Sequence, residues 1–180
     1  MIRVMPTPKL IILRGPSGAG KSTVATLLHK RAVNKTALVD QDYYRHVMFN
    51  NLHSELEAPR FVMFAGIKEA LAHGYDVILE GFMGMAKYQS YFDDLLAVHP
   101  EENYFFYFDV SFEESLRRHA GRDKSDTLTA EHMRELFAKS GPSGYKNEHI
   151  ITEDTTAEQA CQLVIATSGL ACSARSVNTR

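Results

Sequence analysis

The chain has 180 residues, 44% hydrophobic and 23% charged, with a formal net charge of -2. This composition excludes a disordered or fibrous chain and suits one globular domain with a substantial core. Mild acidity argues against bulk electrostatic capture of nucleic acid, and no apolar run is long enough to span a bilayer.

Residues 1–168 read as a single domain, and the small, polar, aperiodic stretch 169–180 reads as a flexible tail. A lone early arginine followed directly by a strand pattern leaves no signal peptide legible, so the expected location is the cytoplasm. Cys161 and Cys172 lack metal-ligand spacing and read as ordinary thiols.

In chain order, Leu10-Ile11-Ile12-Leu13-Arg14 is a short apolar run that predicts a buried strand. Next comes Gly15-Pro16-Ser17-Gly18-Ala19-Gly20-Lys21-Ser22, which fits G-x-x-x-x-G-K-[ST]. Val24, Leu27 and Leu28 then fall at helical spacing and predict a helix over 21–33. Strand, glycine loop and helix together are the context that this phosphate-binding motif needs. Glycines let backbone N–H groups turn inward around a phosphate, and the helix adds its positive end. Lys21 suits the outer phosphates and the Ser22 hydroxyl suits Mg²⁺. The motif therefore predicts binding of a nucleoside triphosphate.

Thr36-Ala37-Leu38-Val39-Asp40 reads as a second strand, leading into Asp42-Tyr43-Tyr44-Arg45. A helix is expected over 60–73, with Phe61, Phe64, Ala65, Lys68 and Leu71 near one face and Gly74 closing it. Asp76 to Gly81 is a continuous apolar strand pattern ending in Glu80. A helix near 85–97 precedes an aromatic strand over 103–109, whose side chains read as core. Ser111 to Glu114 has the capping-box pattern and opens a helix carrying Arg117 and Arg118. A short helix over 131–139, a fifth strand over 149–151 and a capping box at Thr155 to Glu158 complete the pattern, with a last helix to about Thr167. Alternating strands and helices argue a parallel sheet covered on both faces, with ligands beyond the carboxyl ends of the strands.

The phosphate loop, with Asp42-Tyr43-Tyr44-Arg45 behind it, resembles the small P-loop kinases that act on non-protein substrates. This zeta-toxin-like group includes polynucleotide kinase, chloramphenicol phosphotransferase and gluconate kinase, and the resemblance spans about residues 9–167. It implies a three-layer α/β P-loop NTPase fold: a five-stranded parallel sheet in the order 2-3-1-4-5 between helices, with an arginine-bearing lid over about 118–141. It also implies a phosphotransferase that moves the γ-phosphoryl group of MgATP to a small-molecule hydroxyl of nucleoside, sugar-acid or antibiotic type.

The residues implied for the nucleotide are Gly15, Pro16, Ser17, Gly18, Ala19, Gly20, Lys21, Ser22 and Thr23, joined by Arg118. Asp42 is similar in place to the base of the polynucleotide kinase D-D-Y-R segment, with Asp40 at the strand end as its rival and Arg45 as the holder of an acceptor group. Glu80 stands where this family ends the strand with an acidic residue, touching substrate or Mg²⁺ through water; glutamate instead of aspartate is a departure. Arg118 and Arg122, four apart and so on one face, are the lid arginines. Arg60, with Tyr43, Tyr44, Phe61 and Phe82, is expected near the acceptor, and Asp154-Thr155-Thr156 near the adenine. The expected partner is a small hydroxyl compound, with no membrane and a monomeric or homodimeric chain. A nucleic-acid end kinase and a toxin-type kinase are the alternatives within this chemistry. A non-catalytic nucleotide switch is the alternative outside it, although Asn34-Lys35-Thr36-Ala37 lacks the aspartate of a guanine-reading N-K-x-D segment.

Overall fold

The computed structural model describes residues 6–50, 57–120 and 130–173. Strands β1 (Leu10–Arg14), β2 (Thr36–Asp40), β3 (Asp76–Gly81), β4 (Asn103–Asp109) and β5 (Glu148–Thr152) form one parallel sheet in the order β2-β3-β1-β4-β5. β1 lies at its centre, so both faces of Leu10-Ile11-Ile12-Leu13 are covered and all four side chains are fully buried. That is why an unbroken apolar run, and not an alternating one, codes for this strand.

The two faces carry separate cores. Ile11 and Leu13 pack with Ile78, Phe106 and Phe108 against α1 (Lys21–Arg31) and α6 (Ala157–Ser168). Leu10 and Ile12 pack with Val77, Leu79 and Phe105 against α2 (Ala58–Ala72) and α3 (Met85–Val98). Two further helices, α4 (Phe112–Ala120) and α5 (Ala130–Ala138), follow β4 and pack on each other. The strand order and the three layers are as the resemblance implied.

Local readings shift in four places. Helix α2 begins at Ala58 with Pro59 in its first turn, and its buried row is Pro59, Met63, Ile67 and Leu71 with Phe64 beside it. These fall four apart along the helix, which leaves Phe61 68% exposed, not on the packed face. Between β2 and α2 the chain makes a π-helical turn, Tyr43–Met48, that no periodicity announced. The last capping box sits one residue later than Thr155 and Glu158: Thr156 Oγ accepts the Gln159 N–H and Gln159 Oε1 accepts the Thr156 N–H. Glu158 is instead drawn into a pair with Arg31. Ser111 caps α4 by accepting the Glu114 N–H, but the Glu114 carboxylate turns to Arg117 and Arg118, and Glu153 takes the Ser111 N–H in its place.

The stretch after α6 is packed as far as it is described. Leu170 is 2% exposed, the Val33 N–H donates to the Ala171 carbonyl, and the Ser173 N–H donates to the Arg31 carbonyl. Residues 174–180 lie outside the described residues.

At the end of β1, Arg14 is 1% exposed and pairs at 2.9 Å with Glu148, whose side chain is 4% exposed. Its Nε–H and an Nη–H donate to the Met83 carbonyl, and another Nη–H bond reaches the Gly141 carbonyl. One guanidinium thus ties β1 to β5, to the loop after β3 and to the loop after α5. Burial lowers the Arg14 pKa, and the Glu148 charge opposes that shift. Replacing Glu148 by alanine would strand a buried cation. Glu148→Ala is therefore expected to lower unfolding stability by about 3–5 kcal/mol, measured by urea denaturation; wild-type stability would refute the role given to the pair.

Candidate active site

Parallel register brings the carboxyl ends of the strands to one edge. Asp40 lies opposite Glu80, Arg14 opposite Gly81 and Tyr107, and Asp109 opposite Thr152. The glycine loop runs off β1 at this edge and ends on α1.

Gly15 has φ +144°, and a Cβ there would meet the Phe108 carbonyl at 2.6 Å, so the loop can leave the sheet only through glycine. Gly18 and Gly20 also have positive φ. The first turn of α1 carries no acidic residue and no side-chain cap, which leaves its amides available to an anion. Lys21 is buried and folds back so that its ammonium donates to the Pro16 carbonyl at 2.8 Å. From α4, the Ser115 hydroxyl donates to the Ser17 carbonyl and braces the outer side of the loop. Nothing in the sequence around Ser115 marked that contact.

The acidic side of the site gathers Asp40, Asp42 and Glu80. Glu80 is 5% exposed, and burial raises its pKa, opposed by Lys21 and by a hydrogen bond with Ser22, and reinforced by Asp40 and Asp42. All five groups therefore lie within one electrostatic neighbourhood. Asp40 serves as a local cap: its Oδ1 accepts the Asp42 N–H at 2.8 Å and the Tyr43 N–H at 3.4 Å. Asp42 is exposed. Among the described residues no cluster of three or more His, Cys, Asp or Glu suits a metal. A Mg²⁺ ion would have the Ser22 hydroxyl and Glu80 as candidate protein contacts, since Ser22 is near enough to the Glu80 carboxyl to favour its charged form.

Two hollows open along this edge. The first, of about 300 Å³, is lined by Ala19, Gly20, Thr23, Phe108, Arg118 and the turn Thr152 to Thr156. Arg118 spans its mouth, donating to the Ala19 carbonyl at 3.2 Å and to the Glu153 carbonyl at 2.8 Å. Its other partner, Glu114, is pulled down to a pKa of about 2 by Arg117 and then Arg118. Arg122 lies outside the described residues.

The second hollow, of about 390 Å³, lies between the start of α2, the loop after β3, the start of α3 and α5. Arg45, Arg60 and Phe82 line it. Tyr43 and Phe61 do not, being 52% and 68% exposed. Tyr44 approaches α2 at Gly66 instead.

Sequence reasoning missed Gln41, Met63, Lys87, Tyr88 and Lys139, which also line this hollow. Gln41 is 8% exposed; its amide bonds Tyr88 Oη at 2.7 Å and the Met83 N–H at 3.2 Å. Gly81 makes room for it, since a Cβ there would lie 2.3 Å from Gln41 Oε1 and 2.6 Å from Gln41 Cβ. The glycine after Glu80 was legible; its reason, the glutamine that follows the neighbouring strand, was not.

Sheet order, glycine loop and buried lysine define a P-loop nucleoside-triphosphate-binding protein. Residues 10–140 match the AAA domain family AAA_33, and the chain belongs to that family of small, ATP-binding P-loop kinases. No curated protein matches the chain in sequence at a significant level. Among solved structures it is similar to a gluconokinase from Sinorhizobium meliloti 1021 (17% identity, TM-score 0.65, covering 91% of this chain and 93% of that one). It is also similar to a sugar kinase from Janibacter sp. HTCC2649 (15%, TM-score 0.68, covering 91% and 96%). A third is the Mycobacterium tuberculosis APS kinase CysC in complex with AMPPNP and APS (18%, TM-score 0.67, covering 90% and 98%). At these identities the likeness speaks for the fold. Among the described residues no helix is long and apolar enough to cross a membrane.

The two glycines separate the two sides of the site. Gly15→Ala is expected to weaken binding of a non-hydrolysable ATP analogue together with stability, because its clash is with backbone. Gly81→Ala is expected to lower stability by about 1–3 kcal/mol with analogue binding unchanged. Calorimetric titration and thermal melts check both. Equal losses of nucleotide affinity in the two variants would contradict this division.

Proposed function

We propose that the protein transfers the γ-phosphoryl group of ATP to a hydroxyl of a small molecule bound in the larger hollow. The observation that supports this most is a shared wall. The segment 40–45 contributes Asp40 and Asp42 to the neighbourhood of Lys21 and Glu80, and Gln41 and Arg45 to the lining of the hollow. A hydroxyl held in that hollow would share this wall with the groups around Lys21.

Asp42 is the group we assign to take or align the hydroxyl proton, because Asp40 already spends a carboxylate oxygen on two backbone amides. Lys21 must leave the Pro16 carbonyl to reach a phosphate, and it then offsets charge on the transferred group. Ser22 and Glu80 are the residues that would hold Mg²⁺, which supplies further charge neutralisation at the phosphate oxygens. Arg118 lies at the smaller hollow, across the loop from the acidic cluster, and so acts on the nucleotide. Thr155 and Thr156 line the same hollow and suit the base. Arg122 remains the proposed second lid arginine. Transfer is direct and in line, with no covalent enzyme intermediate.

Kinases of a sugar acid and of a nucleotide are among the proteins of similar fold, and their names suggest the range of acceptors to try. The acceptor class, the use of Mg²⁺ and a monomeric or homodimeric state belong to this proposal. ADP release with a panel of hydroxyl compounds tests it. Asp42→Asn is expected to lower kcat by roughly 10²–10⁴-fold with analogue affinity unchanged. Turnover that survives intact in both Asp42→Asn and Asp40→Asn would refute the assignment of the base.

A further inference from the structure

The larger hollow contains a hydrogen-bond chain whose direction is set by a backbone group. The Met83 N–H can only donate, so the Gln41 atom that meets it at 3.2 Å is Oε1. The other end of the amide is then Nε2, which donates to Tyr88 Oη at 2.7 Å. Tyr88 therefore accepts from Gln41, and its own O–H proton is left to donate elsewhere. Among the described residues no acceptor is recorded for that proton. Tyr88 is 7% exposed and lines the hollow, so what occupies the hollow, water or a ligand, supplies the acceptor for that proton.

The surrounding charge specifies that partner further. The Arg60 guanidinium stands 5.7 Å from the centre of the Tyr88 ring and 5.8 Å from that of Tyr91. The Nε atoms of Arg60 and Arg45 are both buried without a hydrogen-bond partner. Lys87 and Lys139 add positive charge to the lining, against the single carboxylate of Glu135. Lys87 and Glu135 already have interactions of their own, and an Arg60 Nη lies 3.9 Å from the Glu57 carboxylate, so the unpartnered Nε–H groups of the two arginines carry the argument. Burial raises the Tyr88 pKa, with Arg60 opposing it, which keeps the hydroxyl in its donor form at neutral pH.

We propose that the acceptor carries an anionic oxygen group (phosphate, sulfate or carboxylate) and that Tyr88, oriented by Gln41, donates a hydrogen bond to it beside Arg45 and Arg60. Calling that molecule the acceptor rests on the phosphotransfer reading; binding of the anion does not. Tyr88 and the arginines are binding residues here, and Gln41 is a positioning residue that acts through Tyr88.

The test uses the full chain saturated with a non-hydrolysable ATP analogue, so that the glycine loop is filled before a second anion is added. Phosphate, sulfate and malonate are then titrated separately, which distinguishes tetrahedral from carboxylate recognition. Saturable binding by at least one of them is expected. Tyr88→Phe should weaken it roughly 10-fold or more, with analogue affinity close to wild type and a lower melting temperature, since the Gln41 amide loses its acceptor. Gln41→Glu should weaken it comparably although Tyr88 is intact, because a carboxylate accepts from both Met83 and Tyr88 and turns the tyrosine proton away from the hollow. No binding of any of the three anions, or full affinity in Tyr88→Phe, overturns the inference.

Turnover of paired compounds, gluconate with glucose and adenosine monophosphate with adenosine, separates the two claims. Phosphorylation of the neutral members alone overturns the anionic acceptor and leaves phosphotransfer standing. Anion binding without phosphorylation of any compound counts against phosphotransfer and supports the anion site.

Discussion

The buried pair between Arg14 and Glu148 is the contact on which the working edge of the sheet depends. Arg14 is the last residue of the central strand and immediately precedes the phosphate loop. Its guanidinium reaches the Met83 carbonyl in the loop that carries Phe82 and Gly84, and the Gly141 carbonyl just past α5. A charge this deeply buried is tolerable only when paired and hydrogen-bonded. The five-stranded order puts β1 beside β3 and two strands from β5, so a long side chain from β1 can hold both. The same order that builds the nucleotide site therefore also fixes the walls of the hollow beside it.

Met83 shows how tightly that wall is held. It is buried, with φ +41°, a conformation that disfavours a bulky residue. Its carbonyl accepts from Arg14 and its N–H donates to Gln41, so both backbone groups are committed. Strain of this kind persists where neighbours over-determine the backbone, often beside a site. Gln41, Met83 and Tyr88 form one connected unit, and Gly81 keeps open the space it fills. Stability and recognition share these residues.

Most of the fold was legible because its signals are local. Strand β1, the glycine loop and α1 follow one another within twenty-odd residues, and each has a one-dimensional pattern with a physical cause. The donor side followed from the same patterns. Where readings slipped, a distant group had competed for a side chain. Glu158 fits a capping box with Thr155 until Arg31, far away in sequence, claims it, and Glu114 fits one with Ser111 until Arg117 and Arg118 do. Phe61 looked like a core position on α2 until the row Pro59, Met63, Ile67 and Leu71 took the sheet-facing side.

Of the larger hollow's lining the sequence singled out only Arg45, Arg60 and Phe82, because that lining comes from four separate segments and no spacing relates them. Gln41 and Tyr88 are unremarkable residues until β3 brings Gly81 beside β2 and α3 turns its first face inward. By itself the sequence determined that this chain binds a nucleoside triphosphate, since a glycine loop between strand and helix carries that chemistry wherever it folds. Only the tertiary structure decided what lines the larger hollow. A hydrogen bond acquires a direction, and a buried arginine Nε–H is left without an acceptor, only when residues distant in the chain are held within a few ångströms of each other.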